Sequence, residues 1–236
     1  MATVSTMRAI GVIREGPLHA ALKSVLARPG DRVEVAVGRY VIDLVRADGE
    51  LVEVQTGGFG PLGPKLDALL DEHRVRIVYP VAAERRIVRV DEDGVVGGVR
   101  RSPRRSSALE VFDKLVAFPA LLTHPHLVIE VLLLREDHVR GSSPVRSRRR
   151  TRDPGQRRLV EVLDRIELRG RDDIVALLPA LPEPAFSTRE LASAAGCGVV
   201  LAQRIVYCLR ILEIVAPAGR RGRAPLYAYA ASVIAG

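Results

Sequence analysis

Tyr40-Val41-Ile42-Asp43-Leu44-Val45-Arg46, Ala47-Asp48-Gly49 and Glu50-Leu51-Val52-Glu53-Val54-Gln55-Thr56 run in succession near the start of the chain. Two runs rich in Val, Ile and Leu flank three turn-forming residues, which predicts an antiparallel β-hairpin. Gly49 suits the left-handed position of a three-residue turn. Such a turn pairs Arg46 with Glu50 and, counting back, sets Asp43 opposite Glu53. Two carboxylates directly across a sheet repel one another. Their strand neighbours Val41, Ile42, Leu44, Val52 and Val54 are apolar. A buried pair therefore requires a cation, a proton or a basic partner. The alternative is two ordinary strand carboxylates facing solvent, and a two-residue turn over Asp48-Gly49 would separate them altogether.

Upstream, Leu18, Ala21, Leu22, Val25 and Leu26 follow helical spacing within residues 14–27, and Arg28-Pro29-Gly30 ends that helix. Glu15, His19 and Lys23 share one helical face. For His19 and Lys23 this reads as an exposed salt-bridging stripe; Glu15 either joins it or faces the hairpin acids. Arg32–Val37 reads as a strand before the hairpin. Downstream come a Gly/Pro loop (57–64), a helix from Lys65 to about His73, and an apolar strand, Val75–Tyr79. Lys65 reads as a solvated helix end, with a role at the hairpin acids as the alternative. Further on are a strand at Arg85–Val90, an exposed basic loop at 97–107, a helix at Leu109–Leu122, a turn at His124-Pro125-His126 and a strand at Leu127–Leu134. Residues 141–158, with Arg146, Arg148, Arg149, Arg150 and Arg152, read as a linker and domain boundary. The expected division is 1–140, 141–158 and 159–236.

The last part reads as helical at Leu159–Leu168 and Asp172–Leu178. Ser187-Thr188-Arg189-Glu190 then forms a capping box opening a short helix that ends at Gly196. A longer helix runs from about Val199 to Leu212, with Val200, Leu201, Ile205, Leu209 and Leu212 as its packing side. Strand-like pieces Ile214–Ala216 and Leu226–Tyr229 flank the basic tip Gly219-Arg220-Arg221-Gly222-Arg223.

The 236 residues carry a net charge of +8 with 47% hydrophobic content, which excludes a disordered tail and favours a polyanionic partner, nucleic acid before membrane. Only Lys23, Lys65 and Lys114 are lysine among 36 basic residues, so part of that charge also fits a compositional preference for Arg. Cys197 and Cys208 are too few for a disulfide framework and read as free thiols of a reducing cytoplasm. No apolar run reaches the length of a membrane span, and the chain reads as soluble. A homodimer is left open. Gly57-Gly58-Phe59-Gly60 lacks the Lys-Ser/Thr of a phosphate loop.

Asp43, then Glu53-Val54-Gln55, preceded by a helix bearing Glu15 and followed by a helix and an apolar strand, resembles the PD-(D/E)XK phosphodiesterase superfamily over about residues 14–80. The resemblance implies an α/β core, a mixed sheet flanked by helices. It also implies Mg²⁺ (or Mn²⁺) held by Asp43, Glu53, the Val54 carbonyl and Glu15, with catalysis by Glu15, Asp43, Glu53, Gln55 and Lys65. Gln55 stands where lysine is usual; it can hold a water but supplies no charge. Residues 186–230 resemble a winged helix-turn-helix, a second and smaller domain. That implies DNA contacts by Gln203, Arg204 and Arg210 on the second helix and by Arg220, Arg221 and Arg223 on the wing. Leu18–Lys23, Val52–Gly57, Val75–Pro80 and Tyr207–Arg210 make the whole similar to an uncharacterised bacterial family joining both modules. The expected activity is Mg²⁺-dependent DNA phosphodiester hydrolysis targeted by the winged helix. The alternatives are a non-catalytic DNA-binding regulator and a partner-binding structural protein.

Overall fold

The computed structural model describes residues 16–141 and 155–230. Glu15 and the arginines from 146 to 152 lie outside the described residues. The protein is α/β, with a mixed sheet flanked by helices. Helix α1 (Pro17–Leu26) starts with Pro in its first turn, where a missing N–H costs nothing. A meander β1 (Arg32–Val37), β2 (Tyr40–Val45) and β3 (Leu51–Val54) follows, then α2 (Gly63–Leu69) and a long strand β4 (Val75–Val90). Strand β5 (Val96–Arg101), short helical turns including α3 (Phe112–Leu115), and strands β6 (Leu127–Gly141) and β7 (Gln156–Leu168) complete the sheet. Its order is β1-β2-β3-β4-β6-β7. β4 lies parallel to β3 and β6, and β5 takes the second half of the β4 edge that β3 leaves free.

The periodicities explain the faces. Leu18, Leu22 and Leu26 lie a helical turn apart and bury against Leu44, Val52, Val54, Val78, Leu132 and Leu134 on one side of the sheet. Arg46 fixes this helix in place: its buried guanidinium donates to the Leu26 carbonyl at 2.7 Å and pairs with Asp31 at 2.5 Å. On the other side, α2 and α3 cover Ile42, Val45, Leu51, Val75 and Ile77.

Helix α4 (Arg171–Ala176) leads into β8 (Phe186–Ser187), α5 (Thr188–Ala194), α6 (Val199–Ile211) and the hairpin β9 (Val215–Arg221) and β10 (Ala224–Tyr229). β8, β10 and β9 form a small antiparallel sheet. The Ser187–Glu190 capping box is formed in both directions. α5 and α6 meet at 111°, within the range of two helices joined by a tight turn. Both end in the same hydrogen-bond motif: Cys197 N–H to the Ala192 carbonyl, and Ile214 N–H to the Leu209 carbonyl, each at 2.9 Å. Gly196 takes the left-handed position in the first, with φ +59°; Glu213, with φ +56°, takes it in the second.

Several elements differ from the sequence expectation. Leu159–Leu168 is not a helix but part of β7. Two register shifts against β6 bulge the strand at Val160 and Leu163, so Leu159, Val162 and Ile166 turn inward at helix-like intervals. Val75–Tyr79 and Arg85–Val90 are one strand. The Leu109–Leu122 helix is broken, because Pro119 drives Phe118 to φ −153° and ψ +56°. The basic segment 97–107 begins as strand β5. Most consequential, β7 pairs antiparallel with β6 over Ile129–Val139, so the expected linker at 141–158 starts and ends within strands of one sheet and is not a domain boundary. Val206, Leu209 and Leu212 of the C-terminal part belong to the same continuous core as Phe112, Leu115 and Leu122.

Candidate functional site

The β2–β3 ladder pairs Val45 with Leu51 and Leu44 with Val52, and Arg46 N–H donates to the Glu50 carbonyl at 2.9 Å. Gly49 turns the chain at φ +86°. Continued by one residue, this register brings Asp43 opposite Glu53. There the backbone ladder ends and the side chains take it over. Asp43 Oδ2 accepts from the Val54 backbone N–H at 2.8 Å. The strands thus form a fork at which a carboxylate of β2 satisfies a donor of β3, with Glu53 beside it.

Each acid also receives a basic partner from a helix. His19 Nε2 of α1 lies 3.3 Å from Asp43 Oδ2. Lys65 of α2 pairs with Glu53, donates to the Val41 carbonyl at 2.9 Å, and sits 5.9 Å from the centre of the Tyr40 ring. The side chains of Lys65 and Glu53 are both only 13% exposed. Lys65 is therefore not a solvated helix end, and His19 and Lys23 are not an exposed stripe. Lys23 is buried and reaches Glu34 on β1 at 2.8 Å. Helix α1 turns this face inward because Leu18, Leu22 and Leu26 seat it on the sheet.

Glu34 is the residue that sequence reading missed. The pairing of Val33 with Leu44 and Val35 with Ile42 places it opposite Asp43, so Glu34, Asp43 and Glu53 form one cross-strand row. Its φ is +53°, unusual for a side chain of this size. The two-residue turn Gly38-Arg39 that sets this register was the available signal. Gln55 departs from its expected place: its amide donates to the Gly58 carbonyl at 2.7 Å, holding the following loop.

The two fork acids are driven apart electrostatically. Burial works to raise Asp43, but the His19 contact, the Val54 N–H and the Lys23 charge outweigh it and hold the carboxyl below its ordinary value. Burial raises Glu53, the Asp43 charge adds to it, and Lys65 offsets only part. Carboxylate and carbonyl oxygens at the fork suit a hard dication such as Mg²⁺. Among the described residues no group of three or more His, Cys, Asp or Glu is arranged to hold a metal ion. Of the expected ligands, Asp43 and Glu53 come together at the fork and Glu15 lies outside the described residues. Lys65 supplies positive charge at Glu53 and His19 a ring nitrogen at Asp43, so a bound cation would share or displace them.

The C-terminal candidates divide in two. Gln203, Arg210, Arg220 and Arg223 are exposed. Arg204 is tied to Asp113 at 2.5 Å, and Arg221 to Glu190 of the capping box at 2.8 Å. Val200, expected on the packing side of α6, is 61% exposed; Ala202, Val206 and Cys208 join Ile205 and Leu209 on the buried side instead. Tyr207 shares the outer face with Gln203 and Arg210. Among the described residues no single helix is long and apolar enough to cross a membrane.

The protein is thus of the α/β class, a mixed sheet flanked by helices, followed by α5, α6 and a basic hairpin. The chain belongs to the family described as Domain of unknown function (DUF8091), which matches residues 16–169. The matched segment runs from the residue before α1 to the residue after β7. An uncharacterized protein of Treponema pallidum (strain Nichols) is 34% identical over 224 residues, spanning 92% of this chain and 86% of that protein. No solved structure matches the chain.

Proposed function

We propose that the β2–β3 fork is the centre of a PD-(D/E)XK-type phosphodiesterase acting on DNA, and that residues 186–230 are a winged helix that delivers it. The observation that carries this reading is the fork itself: Asp43 and Glu53 across from one another, with Lys65 on Glu53. Helix α2 supplies from outside the hairpin the lysine that Gln55 does not.

Asp43, Glu53 and the Val54 carbonyl would hold Mg²⁺ or Mn²⁺, which would polarise the phosphodiester and acidify a bound water. The protein's own groups do the rest. Lys65 places an ammonium beside Glu53, where it can neutralise charge on an attacked phosphate oxygen. His19 and the Val54 N–H orient Asp43 and keep it ionised. Tyr40 and Val41 hold Lys65 in position. The outer face of α6, with Gln203 and Arg210, suits base edges, and Arg220 and Arg223 suit phosphates.

The test is cleavage of supercoiled and linear DNA with Mg²⁺ or Mn²⁺ by the wild type, Asp43→Asn and Glu53→Gln. Each variant should lose at least ~10²-fold in rate while keeping its DNA affinity. A second reading has its own support. His19 and Lys65 already occupy both acids, as befits a DNA-binding regulator on a nuclease-type scaffold. Wild-type protein that binds DNA but cuts none of these substrates would establish that reading in place of the first.

A further inference from the structure

The second half of β4, together with β5, β6 and the segment after β5, encloses an open groove of about 380 Å³. Arg85, Arg86, Arg101, Arg104, Arg105 and Arg135 line it, and Glu84 is the one acid in its lining. Four of these arginines are held by carboxylates. Arg86 makes two bonds to Asp137, at 2.7 and 2.8 Å. Arg85 pairs with the buried Glu136 at 2.7 Å, Arg135 with Glu84 at 2.8 Å and Arg104 with Glu110 at 2.9 Å. Guanidinium has five donors, so a carboxylate that fixes one edge leaves others to face the groove.

Arg101 and Arg105 are exposed, and neither has an ion-pair partner among the described residues. Arg101 stands directly across the strand pair from Arg86. Asp137 already neutralises Arg86, so Arg101 is the member of this pair left to meet an anion from the groove. The groove also has a continuation. Arg104, Arg105 and Arg204 line a second depression of about 350 Å³ at the start of α6, together with Glu110 and Asp113, which hold Arg104 and Arg204. That helix has no acidic residue in its first turn and no side-chain cap. Arg105 borders both depressions, so a cation without a carboxylate partner among the described residues stands where the sheet groove meets the start of α6.

We propose that this groove is a DNA backbone track, separate from the fork, in which Arg101 and Arg105 contact phosphates and the carboxylate-held arginines guide the strand toward α6. The inference rests on DNA being the partner, as argued above, and adds where its phosphodiester backbone lies. An open, multiply charged groove suits a polymer better than a small anion. The geometry also sets a length. Glu53 aligns with Ile77 on β4, and from Ile77 to Arg85 the strand extends about 26 Å at roughly 3.3 Å per residue. That corresponds to about eight base pairs of duplex at ~3.4 Å each.

The experiment is fluorescence anisotropy of a 20-base-pair duplex with the full chain between 50 and 200 mM salt. Arg101→Ala/Arg105→Ala is compared with wild type and with Arg28→Ala/Arg32→Ala at the start of β1. The groove variant should bind at least ~10-fold more weakly, and its log K against log salt slope should flatten by about 1.8, or 0.9 per lost phosphate contact. Arg28→Ala/Arg32→Ala should stay close to wild type. Wild-type affinity and slope in the groove variant would overturn the track and leave DNA binding intact. An equal loss in the Arg28→Ala/Arg32→Ala variant would overturn it too, marking net charge as the cause. Absence of wild-type binding at 50 mM salt would overturn both readings. Thermal melting of each variant checks that the exposed substitutions leave the fold unchanged.

Discussion

Lys65 joins two elements by one ammonium, with a carboxylate of β3 and a carbonyl of β2 as its acceptors. Without it, Glu53 is left buried beside the charge of Asp43. Removing one partner of a buried ion pair costs about 3–5 kcal/mol, because the other charge stays desolvated. Lys65→Met should show a loss of that order in urea denaturation, and Lys65→Arg a smaller one. A midpoint unchanged in Lys65→Met would mean that Glu53 has another partner. The contrast between the acids and their partners shows what was readable in advance. Asp43 and Glu53 sit on neighbouring strands joined by three residues, so strand alternation and turn type bring them together. His19 and Lys65 arrive from helices, and their direction depends on how Leu18, Leu22 and Leu66 seat those helices on the sheet. Glu34 needed a second register, set by a separate turn.

Among the elements, the capping box of α5 carries a measurable acid dependence. The Ser187 backbone N–H, the Arg221 guanidinium and the Ser187 hydroxyl hold the Glu190 carboxyl down at about 2, against a usual 4.5. A depressed carboxyl stabilises the folded state fully above its unfolded value and loses that contribution as pH falls toward its folded value. The stability tied to Glu190 is therefore present above about pH 4.5 and disappears between there and pH 2. Glu190→Gln keeps the box geometry but cannot titrate. Its melting temperature should fall less steeply across that interval than that of the wild type. Parallel curves would remove Glu190 from the acid response. The box was legible because its four residues are contiguous. β7 was not, because its two bulges replace strict alternation with intervals of three and four, the same signal that a helix gives. Which side of a strand faces inward is a local matter, whereas a bulge is recognised only beside the partner strand that it misses.

For the molecule as a whole, the sheet closes only when β7 lies on β6. Leu168 of β7 and the buried residues of α6 share one core with the helical turns around Phe112 and Phe118. A chain ending at Gly141 should therefore lose cooperative unfolding, since it lacks an entire sheet edge and the cover over α3. The intact protein should melt in one transition, with calorimetric and van't Hoff enthalpies in agreement. Two separate transitions would mean that the shared core does not couple the parts. The sequence suggested a boundary at 141–158 because Arg, Ser, Pro and Gly crowd there, and a connection between strands uses the same residues as a linker between domains. Composition reveals that a segment does not build core; it does not reveal whether the two ends of that segment meet.

In this protein they do meet, since Val139 pairs with Gln156. The sheet itself holds the ends together, so the number of residues between them can change at small cost: each doubling of a closed segment's length adds only about 0.6 kcal/mol. The β6–β7 junction is thus a place where the family can acquire or shed sequence, even a whole inserted module, while the fork at the opposite part of the sheet keeps its geometry.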